Sequence, residues 1–105
     1  MDRQQPKPPK MYGKFSDRFP KLRQAWDTIG EAGNEGPLDA KTIRLVKIGI
    51  AIGAMREGSV HSGVRKAKAA GITREEIEQV VALAAGTIGM PSTVAAYSWV
   101  LDEME

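Results

Sequence analysis

The feature that most constrains this chain is a run of eight residues, Ile48 to Met55, without a charged side chain. Asp39, a favoured residue type at the start of a helix, precedes the run, so we expect a helix from about residue 40. A helix that is apolar on every side must be buried on every side. Because a subunit of 105 residues can hardly surround it, we predict that this helix is central and is partly covered by another subunit.

Two glycines interrupt this helix. Gly49 and Gly53 lower its intrinsic stability by about 1 kcal/mol each relative to alanine. We interpret them as the place where another backbone approaches closely. The alternative is that both glycines are tolerated in a loosely packed helix.

Helical patterns also lie on both sides of this run. Apolar residues recur at spacings of three and four from Pro20 to about Gly30, and proline suits the first position of a helix. After the central helix, Glu57-Gly58 is expected to break the pattern. A further helix is then predicted from Ser59, taken as its N-cap, to Ala70.

The last third of the chain carries specific signals for helix ends. Gly71 suits the left-handed residue after a helix, and Thr73 with Glu76 three residues later predicts a capping box. Pro91 is placed to open a last helix. Because no stretch alternates with a period of two, we predict an all-α fold of about five main helices.

Composition excludes several kinds of chemistry. The chain has no cysteine and one histidine, so thiol nucleophiles, disulfides and a multi-histidine zinc site within one chain are excluded. We expect neither a metal nor a cofactor. No apolar run of about 18 residues is present, and the N-terminal string lacks the apolar segment of a secretory signal. A cytoplasmic location without membrane partners is therefore expected.

Basic charge is concentrated near the N-terminus. Residues 1–14 are rich in proline and basic side chains, so we predict a flexible arm there, followed by a single helical domain over residues 15–105. Such an arm could contact nucleic acid, but a solvated tail is the simpler interpretation. A pattern around Gly71 mimics a helix-turn-helix. Its second helix opens with the acidic string Arg74-Glu-Glu-Ile-Glu78, which phosphates would repel, so we do not expect nucleic acid as a partner.

Two strings stand out, Leu38-Asp-Ala-Lys-Thr42 and Ala69-Ala-Gly-Ile-Thr-Arg-Glu-Glu-Ile77. They resemble the carboxymuconolactone decarboxylase family, which includes the alkylhydroperoxidase D-like proteins, and the likeness runs from about Phe19 to Leu101. The resemblance implies an alkylhydroperoxidase D-like helical bundle. It also implies a ring-shaped homo-oligomer, a trimer or a hexamer, with active sites near the subunit boundaries.

The site residues of that family's peroxidase branch do not carry over. That branch has a Cys-x-x-Cys pair, a histidine four residues later and a glutamate in the preceding helix. Counted back from Gly71, these positions hold Arg56 and Ser59, then Gly63, then Arg44. Serine forms no disulfide and arginine relays no proton near neutral pH, so thiol peroxidase activity is excluded. The decarboxylase branch lacks the cysteine pair but commonly keeps the histidine, so it is supported in part.

His61 is the candidate catalytic residue. We hypothesise that it acts as a general acid and base on a small organic acid bound by Arg44, Arg56, Ser59 or the backbone. The alternative is a partly exposed turn residue that pairs with Glu57 or lies near Arg65. A nucleophilic Ser59 is not supported, because the chain has no Gly-x-Ser-x-Gly motif.

Two classes of function remain open. The first is a cysteine-free, decarboxylase-like protein that acts on a small carboxylated lactone or a related organic acid. The second is a non-catalytic homo-oligomer of the same fold that binds a ligand or has a structural role. The sequence leaves open whether the chain is an enzyme; if it is one, we expect a lyase and not a thiol peroxidase.

Overall fold

The computed structural model describes residues 10–105, and in that range it contains six α-helices and no β-strand. The all-α prediction is confirmed, with six helices where about five were expected. The helices are α1 Lys10–Arg18, α2 Pro20–Gly33, α3 Ala40–Gly53, α4 Glu57–Ala69, α5 Arg74–Ile88 and α6 Met90–Met104. None of these helices is long and apolar enough to cross a membrane.

The described chain forms two compact units, residues 10–38 and residues 39–105. The predicted domain bounds, residues 15–105, stay a prediction. So does the mobility of the arm, whose first nine residues lie outside the described range. Its last residues, 10–14, were expected to be extended but are helical.

The unit of residues 10–38 consists of α1 and α2. The rings of Phe15 and Phe19 lie 5.1 Å apart at their centroids, and the Arg18 guanidinium lies 4.9 Å from the centroid of the Phe19 ring. Phe15 and Phe19 are four residues apart, a spacing at which side-chain contacts stabilise a helical turn, and this contact explains a helix that proline and glycine content did not predict. In α2 no residue is buried, and Trp26 is 61% exposed.

The unit of residues 39–105 is a bundle of four helices. Helix α3 packs on α4 and α5, and α6 packs on the same two helices. The largest fully buried side chains come from all four of them: Ile48, Ile52, Val60, Val64, Ile77 and Val100. Each contributes about 1.5–3 kcal/mol by leaving water. The short connections, residues 54–56 and the single residue Gly89, make α3 and α4, and α5 and α6, packed neighbours, whereas residues 70–73 join α4 to α5, which do not pack on each other.

Helix starts with a local side-chain signal are confirmed. The carboxylate of Asp39 accepts a hydrogen bond of 2.8 Å from the backbone N–H of Thr42. Thr73 and Glu76 form the predicted capping box, since the Thr73 hydroxyl accepts from the Glu76 N–H and the Glu76 carboxylate accepts from the Thr73 N–H. These caps satisfy backbone donors that the first turn of a helix leaves free.

The start of α4 corrects two predictions. The break after α3 is made by Met55, which has a φ of +54°, a left-handed conformation that is costly for a residue other than glycine. The backbone N–H of Arg56 reaches the carbonyl of Ala51 at 2.9 Å and so satisfies the end of α3. As a result α4 begins at Glu57, and Ser59 lies inside its first turn and is not its N-cap.

Candidate functional site

The four predicted site residues lie in different parts of α3, α4 and the connection between them. Arg44 is half-buried in the first half of α3. Arg56 and Ser59 are both exposed at the start of α4, and the side chain of His61 is 18% exposed in the following turn. Arg44 precedes the end of α3 by nine residues, which is about 13 Å along the helix axis. The structure therefore places Arg44 away from the turn that holds Arg56 and Ser59.

His61 is paired with a carboxylate of the last helix. Its Nδ1 donates a hydrogen bond of 2.7 Å to Oε2 of Glu103, a residue 42 positions further along the chain. This bond places a proton on Nδ1 and orients the ring, so that Nε2 is the nitrogen left to exchange protons.

Two further carboxylates lie near the free nitrogen. Nε2 of His61 is 3.5 Å from the Glu57 carboxylate, one turn earlier on α4, and 3.9 Å from that of Asp102 on α6. His61 is thus a helical residue facing carboxylates and not a turn residue. Its closeness to Glu57 agrees with part of the alternative interpretation, although its shortest bond is to Glu103.

Glu103 collects donors from one side of α4. Arg65 donates to its carboxylate at 3.2 Å, and the ammonium group of Lys68 donates to its backbone carbonyl. Burial alone would raise the pKa of Glu103, but the hydrogen bond from His61 and the charge of Arg65 outweigh it and lower that pKa below its usual value. His61, Arg65 and Lys68 recur at spacings of four and three, so we call them the paired stripe of α4.

Three cations of α3 and α4 have no carboxylate partner in the described part of the chain. Arg44, Lys47 and Lys66, which we call the basic cluster, form no ion pair within residues 10–105. Burial lowers the pKa of the Arg44 guanidinium. Burial also lowers the pKa of Lys66, and the nearby charges of Arg44, Lys47 and Arg65 lower it further. Sequence reasoning named Arg44 alone of this cluster.

Gly63 fixes the contact between α3 and α4. It is buried, and a Cβ atom built on it would lie 3.0 Å from Cγ1 of Ile48. Few real Cβ atoms make so close a contact. At the position that the resemblance assigns to a histidine, α3 and α4 are therefore in close contact.

An apolar groove runs between α3 and α5. Its volume is about 560 Å³, within the range of pockets for small ligands. Leu83 on its rim is 71% exposed. The lining is apolar apart from Glu76, Gln79 and Thr87, and the other residues are Leu45, Val46, Gly49, Gly53, Val80, Leu83, Ala84 and Ile88.

The glycines of α3 leave room in this groove. A Cβ atom on Gly49 would lie 3.5 Å from Cγ1 of Val80, an ordinary contact, and one on Gly53 would meet nothing within 4 Å. Within the described residues the two glycines therefore face a side chain and open space. The close approach of another subunit's backbone stays a prediction.

Within residues 10–105 no three or more His, Cys, Asp or Glu side chains are arranged so that they could hold a metal ion. A second hydrogen-bonded carboxylate joins α5 to α6. The Tyr97 hydroxyl donates a hydrogen bond of 2.6 Å to the Glu78 carboxylate. This bond lowers the pKa of Glu78 below its usual value, and it explains the half-buried position of Tyr97 as a packing residue with a satisfied hydroxyl.

The fold and the side chains define a class of protein: an all-helical subunit with a histidine–glutamate pair, a basic cluster and no cysteine. Residues 20–102 match the model of the Carboxymuconolactone decarboxylase family. The chain belongs to this family, as the resemblance predicted. No match was found among curated proteins or among solved structures.

Proposed function

We propose that this chain is a decarboxylase-like protein that acts on a small carboxylated lactone or a related organic acid without thiol chemistry. The observation that carries the proposal is the hydrogen bond between His61 and Glu103, which orients the imidazole. A histidine held in this way is suited to general acid and base catalysis. Membership of the family supports the substrate class.

The chemistry asked of His61 is one proton transfer. In a decarboxylation the bond between the carboxylate carbon and its neighbour breaks, CO₂ leaves, and the electron pair stays on the neighbouring carbon. That carbon then takes a proton, which the imidazolium Nε2 would supply. Glu103 would hold the ring in the orientation that this transfer needs.

The test is an assay with a lactone acid as substrate, followed by release of CO₂. His61→Gln should lower kcat by about 100-fold or more. Asp27→Asn is a matched control, because it changes an exposed carboxylate of α2 that is not among the carboxylates paired with His61. Carbon-13 labelling of His61 adds a second reading, since its ring signal should shift when the acid binds. Equal turnover by the wild type and His61→Gln would contradict a catalytic role for His61.

A second candidate function is a non-catalytic homo-oligomer. The observation that favours it is the surroundings of His61, whose Nε2 lies near the carboxylates of Glu57 and Asp102. Two negative charges disfavour a bound organic acid at that place. Lack of turnover with every lactone acid tried, together with an unchanged ring signal of His61, would support this second function.

We also propose that the subunit assembles into a trimer or a hexamer in the cytoplasm. Support for assembly comes from apolar side chains that the single chain leaves exposed on α3, α5 and α6, among them Ile50, Leu83 and Val94. Exposed patches of this kind often mark subunit interfaces. Light scattering should give at least three times the subunit mass of 11.4 kDa. A monomer over the whole concentration range would contradict the proposal.

A further inference from the structure

We propose that Arg44, Lys47 and Lys66 form a binding site for a small oxyanion that carries two or more negative charges. A phosphate and a polycarboxylate share this chemistry.

The packing of α3 against α4 brings the three side chains to one place. The two helices touch where Ile48 meets Gly63, and their short connection makes them antiparallel neighbours. Arg44 lies one turn before Ile48, and Lys66 lies nearly one turn after Gly63. In antiparallel helices these two displacements point the same way along the pair, so both side chains reach the same level.

Lys47 joins them from the helix of Arg44. Residues three apart on a helix are neighbours on its surface, so Lys47 and Arg44 project from the same side of α3. This placement agrees with the lowered pKa of Lys66, to which the charges of Arg44 and Lys47 contribute after burial.

The three cations of this cluster have no compensating carboxylate within residues 10–105. Lys41, one turn before Arg44, pairs with the Glu76 carboxylate, and Arg65 pairs with Glu103. The chain therefore neutralises the cations next to the cluster and leaves the cluster itself without a partner. An anion would relieve the mutual repulsion of the cations and supply the missing acceptor.

Helix electrostatics do not account for the arrangement. Lys66 lies near the C-terminal end of α4, where a cation is favourable, but Arg44 lies in the first half of α3, where it is not. Arg44 is also half-buried without an acceptor, although burial disfavours an unpaired charge. Its position is better explained by a bound anion.

The size of the cluster fits a small anion. Three cations at one helix junction can surround a single phosphate or a polycarboxylate. Nucleic acid would require a longer row of phosphate contacts. The ligand we infer is therefore a free small molecule.

This inference goes beyond the proposed function, because binding an anion requires no reaction and does not involve His61. If the basic cluster prefers a polycarboxylate, that ligand would be the acid of the proposed function. In that case the inference rests on the proposed function. Binding without turnover of lactone acids would support the site and contradict the proposed function. Turnover without anion binding would overturn the site alone.

The experiment is isothermal titration calorimetry of the full chain with inorganic phosphate and, separately, with citrate, each against sodium chloride at equal ionic strength. We expect one site per chain for at least one of the two anions. Arg44→Gln and Lys66→Gln should each weaken binding by about tenfold or more, as expected when one charge-assisted hydrogen bond is lost. Lys66→Arg, which keeps the charge, should bind within about threefold of the wild type.

The matched control is Lys21→Gln. Lys21 is an exposed residue of α2, and this change removes the same charge at a distance in sequence from the cluster. It should leave the affinity within about twofold of the wild type, as expected when screening limits remote surface charges. Circular dichroism checks that each variant is folded. If Arg44→Gln does not fold, the affinity of Lys66→Gln alone tests the site. Failure of both anions to bind above the chloride reference, or equal weakening in Lys21→Gln and Lys66→Gln, would overturn the site.

Discussion

The two charged sides of α4 differ in how the chain compensates them. On the side facing α6, His61, Arg65 and Lys68 all bond to Glu103. On the side facing α3, the charges of Arg44 and Lys47 act on Lys66, and none of the three has a carboxylate partner within residues 10–105. Residues two positions apart on one helix thus have opposite electrostatic surroundings. The paired stripe holds the C-terminal helix in place, whereas the basic cluster keeps charge available for a ligand.

The largest effect is expected from a variant that disrupts the contact between α3 and α4. Gly63→Leu would place a side chain where a Cβ alone lies 3.0 Å from Ile48, so we expect overpacking to lower the free energy of unfolding by about 1–3 kcal/mol. Urea denaturation measures the change. Gly58→Leu is the control, because it lies on the same helix with nothing within 4 Å of its Cβ. Equal stability of the two variants would mean that Gly63 does not set the distance between α3 and α4.

Glu103→Gln tests the paired stripe. The amide is a weaker acceptor than a carboxylate for His61 and Arg65, so we expect a loss of about 1–2 kcal/mol at neutral pH. The pKa of Glu103 is lowered from 4.5 in the folded chain. Its contribution to stability is therefore complete above pH 4.5 and is lost as the pH falls through the lowered value, because the unfolded chain binds more protons there.

Glu103→Gln should lack the loss of stability at acid pH that protonation of Glu103 causes in the wild type. Denaturation curves recorded from neutral pH down to about pH 3 give the comparison. Asp102→Asn, one residue earlier and exposed, should keep the acid dependence of the wild type. An unchanged acid profile in Glu103→Gln would show that the stripe does not couple to this carboxylate.

The smallest expected changes in stability come from two lysine variants, one on each side of α4, and they should have opposite signs. Lys66→Gln removes a repulsive charge, so the chain should become more stable, by about 0.5 kcal/mol, in a buffer of low salt without multivalent anions. Lys68→Gln removes the donor to the Glu103 carbonyl and should destabilise by a similar amount, about 0.5 kcal/mol. Thermal unfolding of both variants beside the wild type measures the difference. Changes of the same sign would remove the distinction between the sides of α4.

Local signals account for what could be predicted of the fold. Asp39, Thr73 and Gly71 mark helix ends through their own side chains or their own backbone freedom, and each prediction is confirmed. The start of α4 was misplaced because Met55 adopts a left-handed conformation that its residue type does not indicate. Helix α1 was missed because the proline and glycine content of the N-terminal residues argued against a helix, and the stabilising contact between Phe15 and Phe19 was not taken into account.

The candidate site was harder to predict because its contacts join distant parts of the sequence. The partner of His61 lies 42 residues away on α6, and no spacing rule connects the two. Lys66 joins Arg44 only through the contact of α3 with α4 at Gly63. One signal was present in the sequence: α3 carries Lys41, Arg44 and Lys47 and no acidic residue, so its cations needed partners from elsewhere.

The short connections of the four-helix unit also bear on the kinetics of folding. Residues 54–56 join α3 to α4 and Gly89 joins α5 to α6, and each of these two pairs packs together. Helical chains with many such local contacts fold in about microseconds to milliseconds. Association of subunits is a second-order process that slows as the concentration falls. In the proposed assembly a newly made chain would therefore complete its helices before it meets a partner, and the exposed apolar side chains of α3, α5 and α6 would be open to solvent, and to chaperones, in that interval.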